Sequence, residues 1–241
     1  MKTFILQTIN DEVCFDFEFH LIQAINYQNW YNNEKIYDFK KINIKDIKEI
    51  KDDKLIPIGS MNFVFEWCRQ KNININKKPI NIPQELMKKE YLMRNVCYEN
   101  KEDINLNERF FIKSNNIYKD NPSPDIISKN DLIYYPNGNY LVSDVIDIDS
   151  EYRCFVHNKR LVGIQNYSGN FEILPDIQKI KNMIKDYKDS PLSYTLDVGI
   201  NNNGTFIIEV HPFVSCGLYG FSDYRILCYM FENGFNYIKR D

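Results

Sequence analysis

The segment from Tyr194 to Gly220 reads YTLDVGINNNGTFIIEVHPFVSCGLYG, and it constrains the fold more than any other part of the sequence. Two runs of β-branched and apolar residues surround Asp197 and Glu209, with NNNG between them. Asn and Gly tolerate positive φ, so the spacing predicts a β-hairpin with the loop Asn202-Asn203-Gly204. In that register position 197 faces position 209, and side chains alternate along a strand. The pattern therefore predicts that Asp197, Glu209 and His211 share one face.

Two carboxylates directly opposite each other on a hairpin repel, at a cost of a few tenths of a kcal/mol to about 1 kcal/mol. A divalent cation bound between them would offset this repulsion, because carboxylates are common ligands of such ions. The other interpretation is an exposed sheet face with scattered charges. The hairpin alone leaves both interpretations open.

Composition excludes several classes of protein. Of the 241 residues, 44% are hydrophobic, which is enough for one large or two modest domains. The net charge is −3 with acids and bases interleaved, so no nucleic-acid partner is expected. No apolar run could span a bilayer and the N-terminus turns polar too early for a signal peptide, so no membrane partner is expected. The six scattered cysteines fit a cytoplasmic location, and the three scattered histidines disfavour a zinc site.

Strand and helix signals predict an α+β chain with a domain boundary near residue 105. In residues 1–105 the short strands TFILQT and KLIPIGS alternate with helices, one of them capped by Ser60, which predicts a small α/β unit. The segment QELMKKEYLMRN is predicted to be a further helix. Residues 106–241 contain more antiparallel sheet, with strands at RFFIK, YLVSDVIDI and EYRCFVHNKRLVGIQNYSG. The last helix, SDYRILCYMFENG, is predicted to begin at a Ser cap and end at a Gly.

Several charged residues have two interpretations each. Lys113, at the end of the strand RFFIK, is either an edge residue whose ammonium reaches solvent or a cation directed into a site. Glu151 and Arg153 share one strand face, so they either pair with each other or present an arginine to a phosphate. Arg94 follows a predicted helix, where a cation is favoured by the helix dipole.

Three acids, Asp144, Asp147 and Asp149, cluster beside the strand YLVSDVIDI. They could hold ribose hydroxyls, or they could be ordinary acids at a strand end. Lys119 lies in a loop, and alone it indicates nothing.

The order of these features is more informative than any one of them. A strand lysine is followed by an apolar strand with acids, an E-x-R strand and a helix, and then by an aspartate, E-x-H twelve residues later and a glycine turn. This order resembles the ATP-grasp superfamily, particularly ligases similar to the ribosomal-protein S6 glutamate ligase. The sequence EYRCFV…LVGIQNYSG, together with YTLDVG…FIIEV, resembles the R2K clade over roughly residues 108–222. LIPIGSMNFVFEW resembles the pre-ATP-grasp domain of that clade.

The resemblance implies an ATP-grasp fold with a small α/β pre-ATP-grasp domain at residues 1–105 and a nucleotide- and metal-binding domain at residues 106–241. It implies catalytic roles for two residues, Lys113 and Arg153. The nucleotide-binding residues that it implies are Lys113, Lys119, Asp144, Val145, Asp147 and Arg153. The metal ligands that it implies are Asp197, Glu209 and His211.

The activity implied by the resemblance is ATP-dependent carboxylate–amine ligation through an acyl phosphate, with ADP as a product. ATP and Mg²⁺ would be the cofactors, with Mn²⁺ as a further candidate metal, and the substrates would be a small-molecule or peptide carboxylate and an amine. Three features depart from the family pattern: His211 stands for Asn, Ser114 stands for Pro, and NNIYKDNPSPD lacks a glycine-rich lid. The missing lid favours a non-catalytic nucleotide-binding regulatory module. A phosphotransferase acting on a hydroxyl acceptor is a third interpretation, since it differs only in the nucleophile.

Overall fold

The structure is a computed structural model that describes residues 1–106, 108–118 and 122–239. The described residues form both helices and sheets, which confirms the α+β class. The strands are β1 (Lys2–Thr8), β2 (Tyr37–Asn43), β3 (Ile56–Ile58), β4 (Val96–Asn100), β5 (Phe110–Ser114), β6 (Asp125–Ile127), β7 (Asn139–Asp144), β8 (Ser150–His157), β9 (Arg160–Gly169), β10 (Ser193–Asn201) and β11 (Gly204–Pro212). The α-helices are α1 (Asp16–Tyr31), α2 (Met61–Gln70), α3 (Lys89–Leu92), α4 (Ile177–Asp186) and α5 (Leu227–Ile238).

The chain divides into two compact units. Unit 1 comprises Met1–Asn76, Pro191–Thr195 and Pro212–Asp241, and unit 2 comprises Lys77–Ser190 and Leu196–His211. The first division thus falls after residue 76, and the C-terminal segment belongs to the same unit as the N-terminal one. The boundary expected from sequence lies near residue 105, and the assignment of pre-ATP-grasp and ATP-grasp domains stays a prediction.

Unit 1 contains a three-stranded parallel sheet in the order β2-β1-β3. The central strand β1 is buried from Phe4 to Thr8, which explains the apolar run Phe4-Ile5-Leu6 at its centre. The predicted strands in TFILQT and KLIPIGS are present as β1 and β3. The sequence analysis missed β2, because YDFKKIN is rich in charge and does not show a regular apolar alternation.

Helix termini in unit 1 show what the sequence could and could not predict. The Ser60 hydroxyl accepts a hydrogen bond from the Phe63 N–H at 3.2 Å, so the predicted cap of α2 is present. The predicted start and stop of the last helix are wrong. Helix α5 begins after Ile226 and continues through Gly234 to Ile238. Gly234 serves close packing, since a Cβ there would lie 1.8 Å from the Phe213 carbonyl oxygen.

Unit 2 contains two four-stranded sheets, in the orders β4-β7-β5-β6 and β11-β10-β8-β9. In the first sheet, one face of β5 and β7 packs into a hydrophobic core that includes Phe110, Ile112, Tyr140 and Val142. Because side chains alternate along a strand, the residues between them lie on the opposite face. That opposite face contributes to the candidate site described below.

The predicted hairpin is present, but its loop is shorter than expected. Strand β10 ends at Asn201 and β11 begins at Gly204, so the turn consists of two residues, Asn202 and Asn203, and not three. The Asn201 side chain accepts a hydrogen bond from the Asn203 N–H at 2.9 Å and closes the turn. Gly204 joins the strand at φ +113°, a backbone conformation that L side chains rarely adopt.

None of the helices in the described part of the chain combines the length and the apolar character needed to cross a bilayer.

Candidate functional site

A cavity of about 310 Å³ lies within unit 2, lined by residues of both of its sheets. Its wall is mostly apolar and includes Phe111, Ile126, Leu141, Ile146, Ile148 and Ile208. Asn81, Lys113 and Glu209 form what we call the polar end of the cavity. An apolar pocket with a few converging polar groups is the usual form of a small-molecule site.

The alternation of β5 and β7 places Lys113 in this cavity. Lys113 pairs with Leu141 across the two strands, and Phe111 pairs with Ser143. All four residues line the cavity, whereas Phe110, Ile112, Tyr140 and Val142, which alternate with them, belong to the core. The apolar positions around Lys113 therefore fix the direction of its side chain, which enters the cavity, and its catalytic and nucleotide-binding roles stay predictions.

Lys113 forms a salt bridge with Glu209 of β11, and each side chain is 24% exposed. Burial raises the pKa of Glu209, but the positive charges of Lys113, His211 and Arg153 outweigh it and lower the pKa below its usual value. The sequence analysis did not predict this pair, because it treated Glu209 only as a metal ligand.

Arg153 of β8 binds Asp197 of β10 through two hydrogen bonds. Its Nε donates to Oδ1 at 2.9 Å and its Nη2 donates to Oδ2 at 2.7 Å. Glu151 instead accepts a hydrogen bond from the Tyr167 hydroxyl at 2.6 Å, and the Arg153 guanidinium lies 5.8 Å from the centre of the Tyr167 ring. Arginine and glutamate on this strand therefore have different partners.

The two ion pairs act on each other electrostatically and form what we call the charge cluster, made of Lys113, Arg153, Asp197 and Glu209. The pKa of Asp197 is raised to about 6. Burial and the negative charge of Glu209 raise it, and together they outweigh the opposite effect of Arg153 and Lys113. Because each carboxylate has a cation beside it, the cluster is close to neutral. Two carboxylates can therefore be tolerated near each other without a metal ion.

The His211 ring packs edge-on against Tyr118, with ring centres 5.1 Å apart at an angle of 63°. Among the residues that the structure describes, no group of three or more His, Cys, Asp and Glu side chains is arranged to hold a metal ion by itself. The predicted metal set Asp197, Glu209 and His211 thus stays a prediction.

The predicted nucleotide-binding residues after β7 are only partly gathered at the cavity. Strand β7 ends at Asp144, earlier than the predicted strand YLVSDVIDI, and Asp144 and Val145 line the cavity. The Asp144 carboxylate accepts two hydrogen bonds from Asn95, both at 2.9 Å. Asp147 is exposed and is not among the lining residues of this part of the structure. Lys119 lies outside the described residues.

Arg94 lines the cavity, and the sequence analysis gave it no functional role. The predicted helix QELMKKEYLMRN is divided into a short 3-10 helix, Gln84–Leu86, and α3, which ends at Leu92, so Arg94 lies beyond the helix. Its Nη1 donates to the carbonyl oxygens of Leu92 and Ile207, both at 3.0 Å. The pKa of Arg94 is lowered to about 10, because burial lowers it by more than the negative charge of Asp144 raises it. An arginine after a helix is too common for the sequence to have identified it.

Asn81 is the second residue missed. It is 1% exposed, it lines the cavity, and its side-chain oxygen has no hydrogen-bond partner among the residues that the structure describes. Its backbone accepts a hydrogen bond from the Val210 N–H at 2.6 Å. The segment NININKKPINIP, which contains Asn81, is interrupted by two prolines, and it gave no signal of a functional residue.

Comparisons with known proteins identify the family. The family described as ATP-grasp domain, R2K clade family 2, matches residues 91–228. No curated protein sequence matches the chain.

Solved structures show the same fold. A RimK domain ATP-grasp protein from Sphaerobacter thermophilus is 11% identical with a TM-score of 0.56, and the match covers 99% of each chain. D-alanine–D-alanine ligase from Bacillus anthracis, in complex with ATP, is 14% identical with a TM-score of 0.53, covering 97% of this chain and 96% of that chain. The ATP-grasp ligase PsnB, in complex with a variant of its minimal precursor, Mg and ADP, is 8% identical with a TM-score of 0.53, covering 97% and 98%.

These likenesses establish the fold, and the family match spans more than half of the chain. The resemblance inferred from the order of Lys113, Arg153, Asp197 and Glu209 is thereby confirmed. The protein has the ATP-grasp fold and belongs to family 2 of the R2K clade of ATP-grasp domains.

Proposed function

We propose that this protein is an ATP-dependent ligase that joins a carboxylate to an amine and releases ADP and phosphate. The observation that carries the proposal is an apolar cavity that ends in Lys113 and Glu209, with Arg153 and Asp197 electrostatically coupled to them. Membership of the ATP-grasp superfamily supports it, as do structural neighbours named as ligases.

The apolar part of the cavity suits a flat purine base. Side chains such as Phe111, Leu141 and Ile208 would contact its two faces. The chain leaves β7 at Asp144, so backbone groups of Val145 and the next residue are available to hydrogen-bond the base edge. In the proposal Asp147 binds the ribose, and Lys119 provides a second cation for the phosphates.

Lys113 would contact the phosphates because it lies at the polar end of the cavity. Without nucleotide its ammonium neutralises Glu209, as Arg153 neutralises Asp197. A triphosphate offers both cations anionic oxygens, and the two carboxylates then become available to a divalent cation. The ion pairs thus keep buried charges compensated until the nucleotide binds.

The donor atoms fit magnesium in part. Asp197 and Glu209 supply carboxylate oxygens, which a hard cation prefers, whereas the imidazole of His211 is a poorer ligand for it. We assign His211 to a hydrogen bond with a phosphate or with a metal-bound water. Magnesium, when bound, would neutralise negative charge on the phosphates during transfer.

The proposed reaction has two steps. In the first, an oxygen of the substrate carboxylate attacks the γ-phosphorus, the bond to the bridging oxygen breaks, and ADP leaves. Arg153 stabilises the charge on the transferred group, and Lys113 holds the phosphates in position. In the second, an amine attacks the acyl carbon, phosphate leaves, and the nitrogen loses a proton. No protein nucleophile is needed for either step.

The test is a screen of amino acids, amines and short peptides in pairs for ADP release, with the products identified by mass spectrometry. We expect one pair to give ADP, free phosphate and an amide in equal amounts. ADP with a phosphorylated product and no free phosphate would identify a phosphotransferase. ATP binding without ADP release by any pair would favour the regulatory module.

A further inference from the structure

The amide of Asn81 has a fixed orientation. Its Nδ2 donates to the Ser114 carbonyl oxygen and to Asn115 Oδ1, both at 3.2 Å. A backbone carbonyl can only accept a hydrogen bond, so turning the amide over would place two oxygens against each other. The remaining atom, Oδ1, is buried and has no hydrogen-bond partner within the described part of the chain. Leaving a buried acceptor unpaired costs roughly 1–3 kcal/mol, which calls for a ligand that pairs with it.

The position of Asn81 identifies the part of the cavity that such a ligand would occupy. Ser114, which accepts from its amide, directly follows Lys113, and Val210, which donates to its backbone, directly follows Glu209. Asn81 therefore lies beside the Lys113–Glu209 salt bridge, at the polar end of the cavity. In the proposed function this end receives the phosphates and the metal.

Charge decides between the possible partners of Asn81 Oδ1. A phosphate oxygen accepts hydrogen bonds and would repel an amide oxygen, so the nucleotide phosphates are not its partner. The amine groups of a base would lie in the apolar part of the cavity. A hard divalent cation binds amide oxygens together with carboxylates. Position 211, where the family pattern has an amide side chain, has an imidazole here that packs against Tyr118.

We infer that Asn81 Oδ1 is an oxygen ligand of the divalent cation that Glu209 binds, and that it supplies the amide oxygen absent from position 211. This inference rests on the proposed function, because it takes the metal and the triphosphate to share the polar end. While Lys113 is paired with Glu209, Asn81 Oδ1 is buried. Cation binding therefore requires Lys113 to move from Glu209 to the phosphates.

The backbone of Asn81 suggests the variants for a test. Its φ is +52°, a conformation that glycine, asparagine and aspartate tolerate. Asn81→Gly removes the oxygen and keeps the backbone accessible, whereas Asn81→Asp keeps an oxygen at the same distance from the backbone. Asn115→Ala is the matched control, because it removes one partner of the amide and leaves Oδ1 in place.

The measurement is Mn²⁺ binding in the presence of ATP, followed by the electron paramagnetic resonance signal of free Mn²⁺. We expect Asn81→Gly to raise the Mn²⁺ dissociation constant by about tenfold or more. Asn81→Asp keeps a metal-binding oxygen but loses the two hydrogen bonds that Nδ2 donates, so it should bind Mn²⁺ more tightly than Asn81→Gly does. ATP affinity in excess EDTA should change less than about twofold in all variants, because the inferred contact is with the metal.

Several results would overturn the inference. One is unchanged Mn²⁺ affinity in folded Asn81→Gly. Another is an equal loss of Mn²⁺ affinity in Asn81→Gly and Asn115→Ala. A third is loss of ATP binding by Asn81→Gly in excess EDTA. If Asn81→Gly does not fold, a Mn²⁺ dissociation constant raised by about tenfold or more in Asn81→Asp overturns it. A native protein that binds ATP equally well with and without metal would instead contradict the proposed function itself.

Discussion

Arg153 binds Asp197 through two hydrogen bonds, of 2.9 and 2.7 Å. The two side chains are 11% and 3% exposed. A guanidinium matches a carboxylate in this two-point geometry, and it matches a phosphoryl group in the same way. Lysine has no equivalent planar arrangement of donors. The geometry that holds Arg153 before nucleotide binding is thus the one that it would use on the transferred group.

Replacing Arg153 with lysine should therefore affect turnover more than nucleotide affinity. We expect Arg153→Lys to lower kcat by about 100-fold, the scale for losing one charge-stabilising group, with ATP affinity within about threefold. Steady-state kinetics and calorimetry of ATP binding measure the two effects. Arg160→Lys, at an exposed position of the neighbouring strand β9, is the control. A kcat like that of the control would mean that Arg153 is only a structural partner of Asp197.

Nucleotide binding should depend on a divalent cation, because Asp197 and Glu209 need a positive partner once Lys113 and Arg153 contact phosphates. We expect ATP at 100 times its dissociation constant to stabilise the protein by about 2.7 kcal/mol when Mg²⁺ or Mn²⁺ is present. The melting temperature with ATP, compared with and without excess EDTA, measures this. If ATP raised the melting temperature equally with and without excess EDTA, nucleotide binding would not involve a metal ion.

His211 should be replaceable by asparagine, the residue that the family pattern has at this position. We expect His211→Asn to retain magnesium-dependent turnover and to show a weaker pH dependence, because an amide side chain does not change charge with pH. Turnover against pH, with magnesium and then with manganese, tests both expectations. A variant that is inactive with both metals would show that the reaction requires an imidazole.

The free energy of unfolding should decrease as the pH rises from 4.5 to about 7, because of Glu18 in unit 1. Glu18 is fully buried; burial raises its pKa from 4.5 to about 7, although the N–H groups of Cys14 and Phe15 favour the charged form. Between these values the folded protein keeps a proton that the unfolded chain releases. The free energy of unfolding therefore declines with rising pH, by about 1.4 kcal/mol for each pKa unit.

Glu18→Gln should remove this decline, because the amide imitates the protonated carboxyl group. Urea unfolding at about pH 5 and about pH 8 should show the variant gaining stability relative to the native protein at the higher pH. The exposed Glu12→Gln change provides the control. Parallel pH profiles for native protein and Glu18→Gln would contradict the assignment.

The sequence predicted those parts of the fold and site that depend on local pattern. The apolar run before Lys113 and the segment around Arg153 predicted their strands, and the β-branched runs predicted the hairpin with Asp197 and Glu209. The turn length was missed, because NNNG is compatible with both two- and three-residue loops and the pairing of the strands selects between them.

Residues whose role comes from distant partners could not be predicted. Asn81 lies in an irregular segment, and it becomes notable only through its contacts with residues 114, 115 and 210. Arg94 is held by carbonyl groups of residues 92 and 207. Gly234 looked like a helix stop because glycine commonly ends helices, yet its role is to admit the Phe213 backbone. Such pairings are a property of the folded chain.

The chain passes between the two units four times, after residues 76, 190, 195 and 211, and strands β10 and β11 each belong partly to both. Neither unit is therefore a contiguous stretch of coding sequence. An ancestor could not have acquired or lost one of them through a single end-to-end gene fusion or truncation. Changes in either unit during evolution would accordingly proceed by substitutions and loop insertions within the existing chain, with both units inherited together.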